Sequence, residues 1–247
     1  MIRLGTVFSG IGAIEQALKR LSVEHELVFA CDNGDIELAL FDKQQQKEYK
    51  ELQTKRGKRT LTPQENAKLI ELSKKEVELA EETRKYIYSL SDVKSKMDYV
   101  EALYRKSGRK ENHVKKTYIA NYPESKDFHL DIRFLDGKDY TGKINLLVGG
   151  SPCQAFSTVG AQAGLYDTRG TLFYEFARII DETKPRAFIF ENVKGLTTHD
   201  NGRTWEMIKH IFTDVLHYRI TDPQLLNASD FGIPQTRRRV FVVGIRD

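Results

Sequence analysis

Cysteine is scarce in this sequence, with only Cys31 and Cys153 among 247 residues. Neither belongs to a C-x-x-C pair or to a cluster of cysteine and histidine, so we expect no zinc site and no other bound metal. The spacing does not exclude a disulfide between the two thiols. A reduced, cytoplasmic chain is nevertheless the better expectation.

Long apolar runs are also missing. No stretch of 18 or more apolar residues occurs, so the sequence predicts no membrane span and no membrane partner. The first ten residues, MIRLGTVFSG, lack the long apolar core of a signal peptide. The hydrophobic fraction of 40% is sufficient for one sizeable α/β domain.

The net charge of +4 is small, but it is unevenly distributed. Residues 42–116 contain 20 Lys and Arg against 13 Asp and Glu, which leaves 19 basic and 22 acidic residues elsewhere. A basic segment of this kind indicates either a nucleic-acid contact or a solvated helical face. The solvated face is the favoured interpretation.

Short apolar runs alternate with amphipathic stretches along most of the chain. Strands are predicted at 3–8, 26–31, 144–148, 186–190 and 240–243. Helices are predicted at 13–21, 172–182 and 204–216. Because the strands are almost continuously apolar, they fit a sheet that is covered on both faces. The alternation therefore predicts an α/β fold with an open, doubly wound, mostly parallel sheet.

Residues of about 42–116 interrupt this alternation and are rich in Lys, Glu and Gln. Thr62, Pro63 and Glu65 have the spacing of a helix N-terminus with a capping box. An apolar stripe follows at helical spacing, which is more typical of internal packing than of a partner interface. It consists of Leu90, Val93, Met97, Val100 and Tyr104. We predict an inserted α-helical hairpin within a single domain.

A glycine-rich turn follows the first predicted strand. It comprises Phe8, Ser9, Gly10, Ile11 and Gly12 and opens a helix, so a ligand could approach its backbone closely. The spacing is not the complete dinucleotide-binding fingerprint, and a purely structural turn remains open. Asp32, at the end of the second strand, is placed to accept hydrogen bonds from ribose hydroxyls.

The strongest chemical signal is Cys153, which follows an apolar strand, two glycines and Pro152. Open α/β sheets bind ligands at the carboxyl ends of their strands. A cysteine there can act as a thiolate nucleophile where nearby dipoles or charges lower its pKa. Cys31 instead lies inside a strand pattern, and packing in the core is the better interpretation.

A carboxylate and a basic cluster lie at the ends of two other strands. Glu191 could face the cysteine and, as a protonated acid, donate to a ring nitrogen of a substrate. Strand alternation would send Arg237 and Arg239 to one side and Arg238 to the other. Arginines there could hold a base oxygen or a phosphate. Taken singly, Glu191 could equally be an exposed loop residue, and the arginines could equally form a solvated basic turn.

Together and in this order, these segments resemble the DNA (cytosine-5)-methyltransferase family. FSGIGAIEQAL is similar to its cofactor loop, and GGSPCQAFS to its catalytic Pro-Cys-Gln motif. ENV and QTRRR resemble two further family motifs, and 167–173 resembles the segment after its catalytic loop. The resemblance covers residues 1–38 and about 117–247. The stretch 59–65 is similar to the opening of a late family motif, but we interpret it as a helix cap.

The resemblance implies a Rossmann-like methyltransferase that uses S-adenosylmethionine and releases S-adenosylhomocysteine. It implies that Cys153 attacks C6 of cytosine, Glu191 holds the protonated N3, and Arg239, with Arg237 nearby, holds O2. Implied cofactor-binding residues are Phe8, Ser9, Gly10, Ile11, Gly12, Asp32, Asn33, Asp131, Ile132, Pro152 and Leu172. Implied substrate-binding residues are Gln154, Ser157, Asn192 and Gln235.

The implied substrate is double-stranded DNA, from which the target base must flip out, with residues 154–170 as the loop that closes over it. Restriction-modification in a bacterial cytoplasm, near the nucleoid, is the expected setting. The family's target-recognition region does not follow the QTRRR strand here. We therefore expect a second polypeptide to supply it, with a truncated or inactive copy as the alternative.

Other functions stay open at this point. A non-catalytic DNA-binding or assembly subunit would keep the fold without the chemistry. A tRNA cytosine-5 methyltransferase would use the same residues on RNA. A nucleotide-binding oxidoreductase is disfavoured, because the glycine fingerprint is incomplete and the Pro-Cys-Gln motif would have no use.

Overall fold

The computed structural model describes residues 1–36, 38, 40–107, 111–125, 127–151 and 172–246. The chain divides into two compact units. One comprises Met1–Asp35 and Glu111–Asp247, and the other comprises Ile36–Lys110. They are called here the sheet unit and the helical unit.

The sheet unit is built on one mixed sheet, with eight strands among the described residues. They are β1 (Ile2–Val7), β2 (His25–Cys31), β3 (Asp127–His129), β4 (Leu146–Gly149), β5 (Ala187–Val193), β6 (Arg219–Ile220), β7 (Gln224–Asn227) and β8 (Arg238–Ile245). The strand order is β3-β2-β1-β4-β5-β8-β6, and β7 also pairs with β8. The first five strands are parallel to one another, whereas β8 is antiparallel to β5, β6 and β7. The predicted α/β fold with a mostly parallel sheet is confirmed.

Seven α-helices occur in the described part of the chain. They are α1 (Ala13–Arg20), α2 (Lys43–Lys58), α3 (Pro63–Ser89), α4 (Val93–Lys106), α5 (His113–Asn121), α6 (Leu172–Thr183) and α7 (Arg203–His210). A π-helical turn at Ile211–Val215 continues α7, so the helix predicted at 204–216 changes its geometry before it ends. Among the described residues, no helix combines the length and the apolar character that a membrane crossing needs.

Aromatic side chains form the core between β5, α6 and the π-helical turn. Phe176 stacks on Phe190 with ring centroids 5.4 Å apart, and Phe188 lies 4.6 Å from Phe212. All four rings are buried. Burying a side chain of this size contributes roughly 2–3 kcal/mol, which fixes β5 against α6.

The strand register brings several chain segments to one edge of the sheet. Val7 pairs with Gly149, and Gly149 pairs with Phe190, so β1, β4 and β5 end side by side. Because β8 is antiparallel to β5, its first residues lie at this same edge, where Arg239 pairs with Val193. The carboxyl ends of three parallel strands therefore meet the beginning of a fourth strand.

The helical unit contains the predicted hairpin and one further helix. Lys75 donates to Gln45 at 3.0 Å and Lys55 to Glu65 at 3.2 Å, a pairing that shows α2 and α3 to be antiparallel. Thr62 and Glu65 form the predicted capping box, which confirms 59–65 as a helix cap. Of the predicted apolar stripe, Leu90 ends α3 and the other four residues lie on α4.

The boundaries of the insertion differ from those predicted. Residues 111–116 belong to the sheet unit, because Asn112 caps α5 and its side-chain amide donates to the carbonyl of Asp32 at 3.1 Å. The short strands β3, β6 and β7 were not predicted, since two to four residues carry too little periodicity to be seen in the sequence.

Candidate active site

The turn after β1 reverses the chain through left-handed backbone angles. Phe8, Gly10 and Gly12 have φ values of 55°, 56° and 94°. For a non-glycine residue such as Phe8 this conformation costs of order 1–3 kcal/mol and persists only where its surroundings enforce it. Ser9 provides that constraint, since its amide donates to the Cys31 carbonyl at 3.2 Å and its hydroxyl accepts from the Cys31 amide at 3.1 Å.

Asp32 ties this turn to the end of β2. Its carboxylate accepts hydrogen bonds from the amide of Gly10 at 2.9 Å and from the amide of Gly34 at 2.7 Å. Burial raises the pKa of Asp32, and the two backbone donors act in the opposite direction. Each carboxylate oxygen keeps a second lone pair, so the side chain can still accept a hydrogen bond from a hydroxyl group.

A buried hydrogen-bond chain supports the turn from behind. The Glu15 side chain accepts from the Thr6 hydroxyl at 2.9 Å and from the Tyr118 hydroxyl at 2.6 Å. The hydroxyls of Thr6 and Ser9 are 2.9 Å apart, which continues the chain to the turn. Glu15 is 1% exposed, and the sequence analysis did not identify it. Its place in the first turn of α1, beside apolar neighbours, was the available signal.

Gly12 is a position where a side chain would be costly. A Cβ there would lie 2.1 Å from Cε2 of Tyr122, whose hydroxyl donates to the Gly12 carbonyl at 2.7 Å. We expect Gly12→Ala to lower the free energy of unfolding by roughly 2–4 kcal/mol, because it combines backbone strain with a clash. Denaturant unfolding measures this loss.

Gly10→Ala is the matched control, since a Cβ at Gly10 meets nothing within 4 Å while φ is also positive. We expect it to cost roughly 1 kcal/mol, the strain alone. Equal losses in the two variants would contradict the packing of Tyr122 against the turn.

Glu191 and two arginines form an ion cluster at the same edge. The Nε of Arg239 lies 2.9 Å from Oε1 of Glu191, and Nη2 of Arg237 lies 4.0 Å from the same oxygen. Strand alternation thus brings Arg237 and Arg239 to one carboxylate. The Glu191 side chain is 29% exposed, so the cluster remains open to a ligand.

Gly150 allows the Glu191 side chain to adopt this position. A Cβ on Gly150 would lie 2.5 Å from Oε2 of Glu191 and 3.2 Å from its backbone carbonyl. In the sequence, Gly150 stands out only as part of a strand end. The pair of adjacent glycines was the signal that two close approaches occur there.

We expect Gly150→Ala to reduce activity by roughly 10- to 100-fold, because the carboxylate must move by about 1 Å. Its stability should fall less than in a core substitution, since the closest group is a partly exposed side chain and the backbone carbonyl at 3.2 Å needs to give only slightly. The measurements are steady-state turnover and thermal unfolding.

Gly149→Ala is the matched control. Its Cβ would lie 2.6 Å from Val7 and 2.8 Å from Phe176, both in the core, so we expect the main loss to be in stability. The reverse pattern, with Gly150→Ala unfolding early and retaining full activity, would contradict the positioning role of Gly150.

Asn192 differs from its predicted place. Its side chain is buried at 2% exposure and donates to the Ser151 carbonyl at 3.0 Å. Its side-chain oxygen Oδ1 accepts a hydrogen bond from the Val193 amide at 2.8 Å. In this structure Asn192 holds the chain that leaves β4 and does not face the open edge, because alternation along β5 turns it away from Glu191.

Some of the other sequence-predicted residues are described by the structure, and the rest lie outside the described ranges. Asp131 is held by Arg133 at 2.8 Å and Ile132 is buried, so neither presents an open group. Asn33 caps a turn through the Asp35 amide, Leu172 begins α6, and Gln235 is exposed before β8. Pro152, Cys153, Gln154, Ser157 and the loop at 154–170 lie outside the described residues.

Cys31 is packed in the core, as predicted. It is 1% exposed, and burial raises the pKa of its thiol well above the usual value. Across the described ranges, no group of three or more His, Cys, Asp or Glu side chains is placed to hold a metal ion.

Comparison with known proteins points to one family. A family model for the C-5 cytosine-specific DNA methylase matches residues 104–247, more than half of the chain. The type II methyltransferase M.Eco47II of Escherichia coli is 44% identical over 137 residues, which are 56% of this chain and 33% of that protein. M1.ScrFI of Lactococcus lactis subsp. cremoris is 50% identical over 129 residues, 52% of this chain and 32% of that protein. The chain spans about a third of the length of these relatives.

Two solved structures share the fold along the whole chain. A DNA modification methyltransferase encoded within an E. coli prophage aligns with a TM-score of 0.56 at 19% identity, over 100% of this chain and 47% of that one. The Dnmt2 methyltransferase of S. pombe aligns with a TM-score of 0.53 at 17% identity, over 100% of this chain and 51% of that one. At these identities the likeness concerns the fold alone.

Proposed function

The chain belongs to the C-5 cytosine-specific DNA methylase family, and on that premise we propose that it methylates carbon 5 of a flipped-out cytosine in double-stranded DNA. We place this activity in bacterial restriction-modification, the setting of the type II relatives. One observation carries the proposal. Glu191 and Arg239 form an ion pair at the sheet edge where β4 leads into the Pro-Cys-Gln motif.

The turn after β1 fits the proposed cofactor, S-adenosylmethionine. Ile11 is 57% exposed, and its backbone amide has no hydrogen-bond partner within the described part of the chain. This amide can therefore donate a hydrogen bond to the carboxylate of the cofactor. Asp32 retains lone pairs for ribose hydroxyls. Phe8, Ser9, Gly10 and Gly12 would shape the turn around the cofactor. Asn33, Leu172 and Pro152 are proposed as further cofactor contacts. When bound, S-adenosylmethionine supplies an electrophilic methyl group.

Glu191 and its arginines are suited to hold the target base. The glutamate can share a proton with the ring nitrogen N3, while a guanidinium donates to the adjacent oxygen O2. Both contacts strengthen as negative charge develops on the ring, which lowers the barrier to addition at C6. The pair at 2.9 Å keeps the two groups in register before the base arrives.

Cys153 is the proposed nucleophile. Its thiolate forms a bond to C6, and the electron pair of the C5–C6 double bond moves towards C5, which becomes nucleophilic. Loss of the C5 proton after transfer restores the double bond and releases the thiolate. The target must leave the duplex first, because C6 is unreachable within the stack. Gln154, Ser157 and Gln235 are proposed to contact the DNA.

Trapping with 5-fluorocytosine tests the function. Fluorine replaces the C5 proton that must be lost, so a covalent adduct should accumulate on a duplex that carries this base when cofactor is present. Peptide mapping should locate the adduct at Cys153. A tRNA that carries the same base tests the RNA alternative. Cofactor binding without any adduct on either substrate, in the presence as well as the absence of a candidate second polypeptide, would favour a non-catalytic subunit.

Recognition of the DNA sequence stays a separate prediction. The chain spans about a third of the length of its relatives, and a second polypeptide is proposed to read the target sequence. In that case the purified chain should turn over slowly on duplex DNA. Rapid, sequence-specific turnover by the chain alone would overturn the proposal.

A further inference from the structure

The end of the helical hairpin concentrates positive charge. The hairpin tip is defined here as residues 55–66, the last turn of α2, the connection and the start of α3. It contains Lys55, Arg56, Lys58 and Arg59 against one acid, Glu65. All four basic residues are exposed, and Leu52 is the one buried residue of α2 within the described chain.

Part of this charge is not neutralised within the unit. Glu65 is shared by Lys55 at 3.2 Å and Arg59 at 2.8 Å. Arg56 and Lys58 have no acidic partner among the described residues. The tip therefore carries a net charge of three positive units, two of them without a counter-ion from the protein.

The Glu65 contacts hold one guanidinium in place. Arg59 donates to Glu65 and, at 2.9 Å, to the Thr60 carbonyl. Hydrogen bonds from Arg59 and from the Thr62 amide lower the pKa of Glu65 to about 2, so it stays ionised. A fixed guanidinium loses less conformational freedom when it binds an anion than a free one does.

The tip also has a concave surface. A hollow of about 720 Å³ is lined by Arg56, Arg59, Thr60, Leu61, Pro63 and Asn66. Two guanidiniums, a hydroxyl and an amide are the donors that receive phosphate oxygens. Leu52, Leu69 and Leu72 pack in one buried cluster that joins α2 to α3.

We propose that the hairpin tip is a binding surface for the phosphate backbone of double-stranded DNA, with Arg56 and Arg59 each receiving a phosphodiester in this hollow. The inference deepens the proposed function, on which its choice of DNA rests. It assigns to the helical unit the role of adding affinity that does not depend on base sequence.

Salt-dependent binding of the full chain to a labelled duplex tests the surface. The test variant is Arg56→Gln/Arg59→Gln, and the matched control is Lys74→Gln/Lys85→Gln, which removes the same charge from two exposed residues of α3. Dissociation constants are measured by fluorescence anisotropy between about 50 and 200 mM salt.

We expect the test variant to bind roughly tenfold more weakly at the lower salt concentration, and the slope of log K against log salt to fall by about 1.8. The control should match the wild type, and both variants should unfold at the wild-type temperature. Equal slopes for the two variants would overturn the proposal.

The same samples separate this inference from the proposed function. If the salt slopes of the test variant and the control differ as expected but no 5-fluorocytosine adduct forms, the proposal of methyl transfer is overturned and the proposal of the DNA-binding surface is supported. If the adduct forms in the wild type and both variants while their salt slopes are equal, the proposal of methyl transfer is supported and the proposal of the DNA-binding surface is overturned.

Discussion

Replacing Cys153 by alanine is expected to abolish methyl transfer, with a loss of at least about 10⁴-fold in the rate of turnover. Without the thiolate, nothing adds to C6, and C5 stays a poor nucleophile however well the base is held. Cofactor affinity should be largely unchanged, because the turn after β1 and Asp32 are held in place by hydrogen bonds that do not involve this residue. Isotope transfer to duplex DNA and calorimetric titration with the cofactor measure the two quantities.

Cys31→Ala is the matched control for this experiment. Cys31 is the other thiol of the chain, buried in β2 with a raised pKa. We expect its replacement to cost stability, roughly 1 kcal/mol, and to leave transfer intact when the protein is folded. Transfer that survives in Cys153→Ala, or disappears in both variants at equal stability, would overturn the assignment of the nucleophile.

The second large effect is expected at Glu191. Glu191→Gln keeps the size of the side chain but removes the group that shares a proton with N3, so we expect turnover to fall by about 10²- to 10⁴-fold. The ion pair with Arg239 is also lost, yet its partial exposure limits the change in stability to within about 1 kcal/mol. Single-turnover kinetics at saturating DNA separate this loss from weaker binding.

Glu206→Gln, an exposed residue of α7, is the control for the removal of one carboxylate. It should retain wild-type turnover and stability. If Glu191→Gln retained turnover within a factor of two or three of the wild type, the carboxylate would have no part in the chemistry. The cluster at the sheet edge would then be a structural ion pair, and the central observation behind the proposed function would be lost.

Features that depend on neighbouring residues along the chain were predicted well. The apolar runs that became β1, β2, β4, β5 and β8 bury side chains whichever strands lie beside them. The capping box at Thr62 is satisfied within four residues. The buried state of Cys31 followed from its place in such a run. These signals are local, so the amino-acid order carries them directly.

Features that depend on which strands are paired were predicted poorly or not at all. Asn192 follows Glu191 directly and appeared to share its role, yet the twofold alternation of β5 turns it inward to hold Ser151. Glu15 lies on an ordinary helical turn, and only the packing of α1 against α5 shows that its carboxylate meets Tyr118. The paired glycines indicate a close approach at Gly150, but not which atoms of Glu191 make it.

The sequence by itself determined the α/β fold, the family and the set of residues from which a site can be built. The tertiary structure alone decided which of them meet. Glu191 and Arg239 are separated by almost fifty positions and touch because β8 runs antiparallel to β5, in the register that pairs Val193 with Arg239. A contact across strands depends on register and direction, and those follow from the packing of the whole sheet.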